Sequence, residues 1–231
     1  MKLFQKPIVM AALLFTTMPA LACITCDRKI RDGIFNSAFG KNVVLMVLPF
    51  AALGGLVFLL SRLASRQHNR RAASVAAPKS PVPLFATSLI LGIGIGGFID
   101  GIVLHQILQW HEMISATLPP TNYIAKSVNM FWDGIFHAVT LLVVLVGIVR
   151  LWTLLHRSDV DRSGNILAGG LIAGWGLFNI VEGVFDHHVL KLHNVRDVTP
   201  DKDFWNYGFL IFSIVLLVVG YVVARTKQNA T

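Results

Sequence analysis

The chain has 231 residues, of which 55% are hydrophobic and only 14% are charged, and its mean hydropathy is +0.65. Soluble domains carry about a quarter charged residues, and here the deficit lies in long apolar runs, so the composition excludes an ordinary soluble globular protein. The net charge of +8 does not indicate a nucleic-acid partner, because the basic residues lie in short segments between the apolar runs, as they do in membrane proteins.

The first segment, residues 1–22, is typical of a secretory signal peptide. A basic start and a short apolar stretch over residues 7–14 precede Ala20-Leu21-Ala22, which is a small-x-small cleavage site. Two other interpretations stay open at this point. The segment is an additional uncleaved helix, although its apolar run is short for a span, or it is a lipoprotein signal that ends at Cys23.

Residues 23–83 are predicted to join the signal to the membrane core. Cys23 and Cys26 form a C-x-x-C pair outside the cytoplasm, where a disulfide is expected, with a Cu(I) thiolate pair or a redox pair as the alternatives. Residues 27–41 indicate an amphipathic helix on the membrane surface, or a loop. Residues 43–60 are the first predicted span, and the polar, basic segment 61–83 is predicted to be a flexible cytoplasmic linker.

Four more spans are predicted, over residues 84–110, 128–149, 166–190 and 207–224. The distribution of basic residues orients them in a bacterial inner membrane, with the mature N-terminus and the loops 111–127 and 191–206 outside and the C-terminus in the cytoplasm. The predicted fold class is therefore an all-α polytopic bundle with about five spans after removal of the signal peptide. Residues 84–225 are expected to form a four-helix core.

An acidic residue, a glycine, apolar residues and a histidine recur in three of these spans. The segments run from Asp100 to His105, from Asp133 to His137 and from Glu182 to His188. Their spacings differ, so no internal duplication is inferred from them. At 1.5 Å per residue from the outer ends, their polar side chains fall into two layers, roughly 12–15 Å and roughly 5–8 Å deep, although the helices run in opposite directions.

Acidic side chains at such depths predict a metal site. Each charged group costs about 2.5–3.5 kcal/mol on insertion scales, and these three spans contain no lysine or arginine. A divalent ion held by carboxylate and imidazole groups relieves that cost, and copper, iron and zinc all accept such ligands. The predicted ligands are Asp100, His105, Asp133, His137, Glu182, Asp186, His187 and His188, and the predicted hydrogen-bond partners of these ligands are Asn179, Gln106 and Gln109.

A second group of residues is predicted to be peripheral to this site. His111 and His193 lie just outside the spans and either complete a second site, guide an ion inward or are ordinary interfacial histidines. Cys23 and Cys26 are the other peripheral candidates. The structural alternative for the whole cluster is a network of acid–histidine hydrogen bonds that only locks the bundle.

Several segments resemble an uncharacterised family of bacterial predicted membrane proteins, catalogued as a domain of unknown function. They are GGFIDGIVLHQILQWH (96–111), DGIFHA (133–138), GLFNIVEGVFDHH (176–188) and LHNVRD (192–197). The resemblance covers about residues 84–225 and implies a four-helix core with a signature of polar residues. It implies no activity.

Three functional hypotheses are compatible with the sequence. The first is a membrane metalloprotein with redox or oxygenase chemistry that admits a hydrophobic substrate from the lipid bilayer. The second, favoured by the C-x-x-C pair, is a copper-handling partner of a respiratory complex or a metal-export complex. The third is a proton or cation transporter, against which the apolar inner halves of the spans argue.

Overall fold

The computed structural model describes residues 27–72 and 79–226, except for the side chains of residues 68–72. The predicted signal peptide, Cys23 and Cys26 lie outside the described residues. The helices are α1 (Arg28–Ile34), α2 (Phe39–Ala72), α3 (Val82–Ile99), α4 (Tyr123–Leu155), α5 (Gly164–Glu182) and α6 (Lys202–Arg225). Two π-helical segments continue α3 and α5 without a break, namely π1 (Asp100–Ile107) and π2 (Gly183–Val189).

Five helices in the described part are long and apolar enough to cross a membrane, which confirms the predicted all-α polytopic bundle. They are Phe39–Gln67, Val82–Ile107, Tyr123–Leu155, Gly164–Val189 and Lys202–Arg225. Large apolar side chains such as Leu142 and Ile211 are more than half exposed on the outside of the bundle. A bilayer would cover these faces, because a lipid environment is where continuous apolar surface is stable.

The first span differs from its prediction. Helix α2 does not end near residue 60 but continues to Ala72, so the predicted linker is helical for its first half. Residues 61–72 contain no glycine or proline and include four arginines, two alanines and a leucine, which are good helix formers. Their polarity therefore marks where the apolar span stops, and not where the helix stops.

The amphipathic segment that precedes α2 is also shorter than predicted. Helix α1 covers seven residues, and Asp27 caps it by accepting a hydrogen bond from the backbone N–H of Lys29. The side chains of Ile30 and Ile34 are buried in the core cluster that contains Val128 of α4. The side chains of Ile30 and Ile34 thus pack on the protein.

Helices α3 and α5 lie at the centre of the bundle and touch through glycines. A Cβ added to Gly92 would clash with the carbonyl oxygen of Leu171, and a Cβ added to Gly174 would clash with that of Leu89. The two contacts are equivalent, because Gly174 follows Gly92 by 82 positions and Leu171 follows Leu89 by the same 82 positions. Small residues allow this close approach of two backbones, as in many membrane helix pairs.

Helices α4 and α6 pack on α3 and α5 in equivalent ways, although the distance along the chain between equivalent residues differs. A Cβ on Gly147 of α4 would lie 2.6 Å from Leu91 of α3, and a Cβ on Gly220 of α6 would clash with the backbone nitrogen of Ala173 of α5. Ala173 follows Leu91 by 82 positions, whereas Gly220 follows Gly147 by 73. The core is therefore two similar hairpins, α3–π1–α4 and α5–π2–α6, related by a pseudo-twofold axis between α3 and α5.

This internal repeat corrects the interpretation of the acid–histidine segments. The repeat pairs π1 with π2, so the segment Asp133–His137 of α4 is not a third copy but lies at the place that residues 206–210 of α6 occupy in the second hairpin. The connection between the helices is nine residues shorter in the second hairpin, because its offset falls from 82 to 73. That length difference and the change of residue identity on α6 hide the repeat in the sequence.

Candidate metal centre

The two π-helical segments place the first polar side chains. Asp100 and His105 are five residues apart, which in an α-helix turns them to different faces. In π1 the backbone hydrogen bonds run from residue i+5 to residue i, as from the N–H of Leu108 to the carbonyl oxygen of Val103, and residues five apart come closer to one face. The Nε2 atom of His105 consequently lies 3.0 Å from an Oδ atom of Asp100.

Each π-helical segment is followed by a turn that directs the chain back into the bundle. Gln109 and Lys191, which are 82 positions apart, adopt the left-handed conformation with φ of 48° and 52°. These are uncommon values for residues other than glycine. Two residues after each turn comes a histidine, His111 and His193, and both side chains are buried.

Four side chains converge at this end of the bundle. His105, His111, Glu182 and His193 are all buried, and each offers one potential ligand atom such that these atoms lie within 4.8 Å of one another. The rings of His111 and His193 are stacked, with centroids 4.5 Å apart and planes inclined by 4°. Three imidazoles and a carboxylate are a donor set that zinc, iron and copper accept.

Hydrogen bonds orient the three imidazoles through their Nδ1 atoms. The Nδ1 atom of His105 lies 2.9 Å from the carboxylate of Asp133. The Nδ1 atom of His111 lies 2.8 Å from the carbonyl oxygen of Val195, and the Nδ1 atom of His193 lies 3.1 Å from the carbonyl oxygen of Met113. The Nε2 atoms of His111 and His193 are buried without a hydrogen-bond partner, and that of His105 faces Asp100.

These partners fix the protonation of His111 and His193. A backbone carbonyl oxygen only accepts hydrogen bonds, so each Nδ1 atom donates and the Nε2 atom of the neutral ring carries a lone pair. Burial lowers the pKa of both histidines, and nearby histidines lower it further. Both rings are therefore neutral near pH 7, which is the form that binds a metal ion.

The acidic groups Asp100 and Glu182 of the cluster face histidine side chains. Oxygen atoms of Asp100, Glu182 and Asp186 are buried without a hydrogen bond. Within the part of the chain that the structure describes, no lysine or arginine forms an ion pair with any of these three residues. Buried carboxylates need a compensating charge or a proton, and a bound cation supplies that charge.

At the rim of the cluster, Glu112 contacts a lysine side chain. Its carboxylate lies 3.7 Å from Nζ of Lys126, and burial raises its pKa, with the charge of Asp133 as a smaller cause.

The structure brings some of the predicted ligands together and separates others. His105 and Glu182 belong to the group of four, Asp100 and His187 lie next to it, and Asp186 is buried beside it. Asp133 accepts hydrogen bonds from His105 and from the backbone N–H of Met113. Two predicted ligands, His137 and His188, are half-buried and bond to backbone carbonyl oxygens of their own helices.

Sequence reasoning placed His111 and His193 at the periphery, whereas the structure places them at the centre. The signal that identifies them is their spacing, because each follows a histidine of the π-helical segment, His105 or His187, by six residues. The predicted hydrogen-bond partners also differ. Gln106 and Gln109 are exposed, and the groups that orient the rings are Asp133 and two loop carbonyl oxygens.

An apolar cavity of about 400 Å³ lies beside the cluster, between the two ends of the core hairpins. Asp100 and Asn179 are its polar lining residues, and the remainder of the lining is apolar or aromatic, including Trp110, Trp175 and Trp205. Phe204, which also lines it, is 67% exposed.

Comparison with known proteins gives a family and no activity. Residues 87–227 match the family with the description "Predicted membrane protein (DUF2243)". No match was found among curated proteins or among solved structures. The matched region is more than half of the chain and contains both core hairpins almost completely, so the chain belongs to this family of predicted membrane proteins.

Proposed function

We propose that this chain is an integral membrane metalloprotein whose metal site is formed by His105, His111, His193 and Glu182. One observation carries the proposal: all three imidazoles are held at Nδ1 by an oxygen acceptor, while the Nε2 atoms of His111 and His193 are buried without a hydrogen-bond partner and that of His105 faces Asp100. Metal-binding histidines characteristically donate their other ring N–H to a carboxylate or a backbone carbonyl, which orients the ring toward the ion.

A bound cation also accounts for the charges better than a hydrogen-bond network does. Asp100 and Glu182 contribute two buried carboxylates, and neutral His111 and His193 contribute only lone pairs toward the centre. Acceptors that face acceptors repel one another unless a proton or a cation lies between them. One feature favours the alternative of a hydrogen-bond network without a metal. His105 lies between two acids, with Nε2 3.0 Å from Asp100 and Nδ1 2.9 Å from Asp133.

The chemistry that we propose for the site is redox, of the oxygenase type, with iron or copper as the ion. Imidazole and carboxylate ligands suit both metals, and zinc fits the same donors without redox chemistry. The apolar cavity beside Asp100 supports a hydrophobic substrate from the bilayer. The excess of arginine at the far ends of α2 and α4 and in the connection after α4 supports an extracytoplasmic location of the site.

The test is the metal content of the purified full-length protein, measured by mass spectrometry after expression with each metal. We expect bound copper, iron or zinc in the wild type, and its loss in His193→Ala and Glu182→Ala, because these variants remove ligands. His137→Ala and the exposed His156→Ala are matched controls that keep the metal, since neither residue belongs to the group of four.

Two results would contradict the proposal. A wild-type protein that stays metal-free after loading with all three ions would mean that the cluster shares protons instead. Equal metal loss in His137→Ala and His193→Ala would mean that the ion is not held by the group of four alone. The identity of a bound metal separates redox chemistry from Lewis-acid chemistry, because zinc has no redox activity.

A further inference from the structure

The candidate ligands occur as pairs related by the internal repeat. Three side chains of the first hairpin each have a counterpart of the same chemistry 82 positions later. The pairs are Asp100 with Glu182, His105 with His187, and His111 with His193. Each hairpin therefore contributes one carboxylate and two imidazoles from equivalent places.

The first trio consists of Asp100, His105 and His111, and the second consists of Glu182, His187 and His193. The distances within the first trio are similar to those within the second. An oxygen atom of Asp100 lies 3.0 Å from Nε2 of His105 and 3.9 Å from Nε2 of His111. An oxygen atom of Glu182 lies 4.0 Å from Nε2 of His187 and 3.6 Å from Nε2 of His193. All six side chains are buried, and the Nε2 atoms of His111, His187 and His193 lack a hydrogen-bond partner.

Ring positions show the same symmetry. The centroids of His105 and His111 are 4.3 Å apart, and those of His187 and His193 are 4.9 Å apart. Across the axis, the His105–His193 distance of 5.8 Å corresponds to the His111–His187 distance of 6.1 Å. The stacked rings of His111 and His193 lie at the axis itself.

The supporting contacts are reciprocal as well. His111 bonds to the carbonyl oxygen of Val195 in the second hairpin, and His193 bonds to that of Met113 in the first. Val195 follows Met113 by 82 positions. The two trios are thus oriented by one shared arrangement, in which each hairpin holds a histidine of the other.

From this arrangement we infer that the site binds two metal ions, one in each trio. The inference rests on the proposed function and adds the number of ions and their ligands. Atoms that bind one ion at about 2.1 Å in tetrahedral geometry lie about 3.4 Å apart. The carboxylate–imidazole separations of 3.0 and 3.9 Å in the first trio bracket that value, and those of 3.6 and 4.0 Å in the second trio lie slightly above it.

Each trio forms one half-site. The two half-sites are not identical, so the two ions should bind with different affinities. His105 is oriented at Nδ1 by Asp133, whereas Nδ1 of His187 is buried without a partner. The equivalent of Asp133 in the second hairpin is Asn206, which accepts from the N–H of Val195. The oriented half-site of His105 is expected to bind its ion roughly ten times more tightly or more, because loss of such a ring partner weakens metal binding by about that factor.

Native mass spectrometry of the full-length protein, titrated with Zn²⁺ after removal of bound metal, counts the ions per chain. We expect two for the wild type, bound in two separable steps. His105→Gln and His187→Gln should each retain one ion, because each removes one ligand from one half-site. His156→Gln, an exposed histidine at the other end of the bundle, is the matched control and should retain two. Thermal unfolding of each variant verifies that it is folded.

The outcomes separate this inference from the function on which it rests. A wild type that binds a single ion, whatever the variants do, overturns the two-ion site and leaves the metalloprotein proposal standing. A wild type that binds no ion overturns both. Two ions that both persist in His187→Gln would also overturn the inference, since the second ion would then lie outside the second trio.

Discussion

Asp133 is the residue that most directly links the fold to the candidate centre. One of its carboxylate oxygens accepts hydrogen bonds from Nδ1 of His105 and from the backbone N–H of Met113, both at 2.9 Å. It therefore orients a ligand and anchors the loop that carries His111. We expect Asp133→Asn to keep the acceptor and the fold but to lose the negative charge that strengthens His105 as a ligand.

For Asp133→Asn the expected result is a zinc affinity lower by roughly 10–100-fold, the usual effect of removing such a partner. Competition with a chelator of known affinity measures it on the purified protein. Asp32→Asn is the control, because Asp32 is exposed on α1 and its ion pair with Arg28 is largely solvated. An unchanged affinity in Asp133→Asn would show that the carboxylate does not act on His105.

Among single residues, the sequence indicated the buried acids of the cluster more readily than its central histidines. Asp100 and Glu182 are recognisable because a charge inside an apolar span is costly. His111 and His193 lie outside the spans, where a histidine is unremarkable, and their burial depends on left-handed turns at Gln109 and Lys191. Neither glutamine nor lysine signals such a turn, so the inward course of the loops could not be predicted.

Among the elements, the contact between α3 and α5 determines whether the two half-sites meet. Gly92 and Gly174 each face a backbone carbonyl of the other helix. We expect Gly92→Val to destabilise the protein by about 1–3 kcal/mol, since the added side chain must push the two helices apart. Gly174→Val should have a similar effect, because the repeat makes the two contacts equivalent.

Titration with a denaturing detergent, monitored by helical circular dichroism, measures that loss of stability. Gly55→Val is the matched control, because a Cβ on this glycine of α2 has no atom within 4 Å. If Gly92→Val and Gly55→Val unfold at the same detergent concentration, then α3 and α5 are not in close contact.

The sequence predicted the existence of the elements better than their ends. A run of about 20 apolar residues can cross a membrane only as a helix, since every backbone group must be bonded internally. Helix ends depend on local groups instead. Helix α4 begins at Tyr123, five residues before the predicted span, because Asn122 caps it by accepting from the N–H of Ala125.

For the whole molecule, the orientation in the membrane remains a prediction that labelling can test. Exposed positions near the candidate centre include Thr121 and Asp201, and Ser158 is exposed at the opposite end. In intact cells, with both native cysteines replaced by serine, a membrane-impermeant maleimide should label Thr121→Cys and Asp201→Cys but not Ser158→Cys. Arginine-rich loops favour the cytoplasmic side, which is the reason for this expectation.

Permeabilised cells provide the control for that labelling, because all three positions should then react. Labelling of Ser158→Cys alone in intact cells would place the candidate centre on the cytoplasmic side and reverse the predicted topology. The proposed metal site does not depend on this result, since the geometry of its side chains is the same in either orientation.

The crossed hydrogen bonds between the loops have a consequence for the rate at which an ion leaves. His111 is held by a carbonyl of the second hairpin and His193 by a carbonyl of the first. The first loop also donates from Ser115 to Asp197 of the second. Neither loop can swing outward without breaking contacts that the other needs, so both must open together. Metal exchange should therefore be slow and steeply temperature-dependent, even where equilibrium affinity is modest.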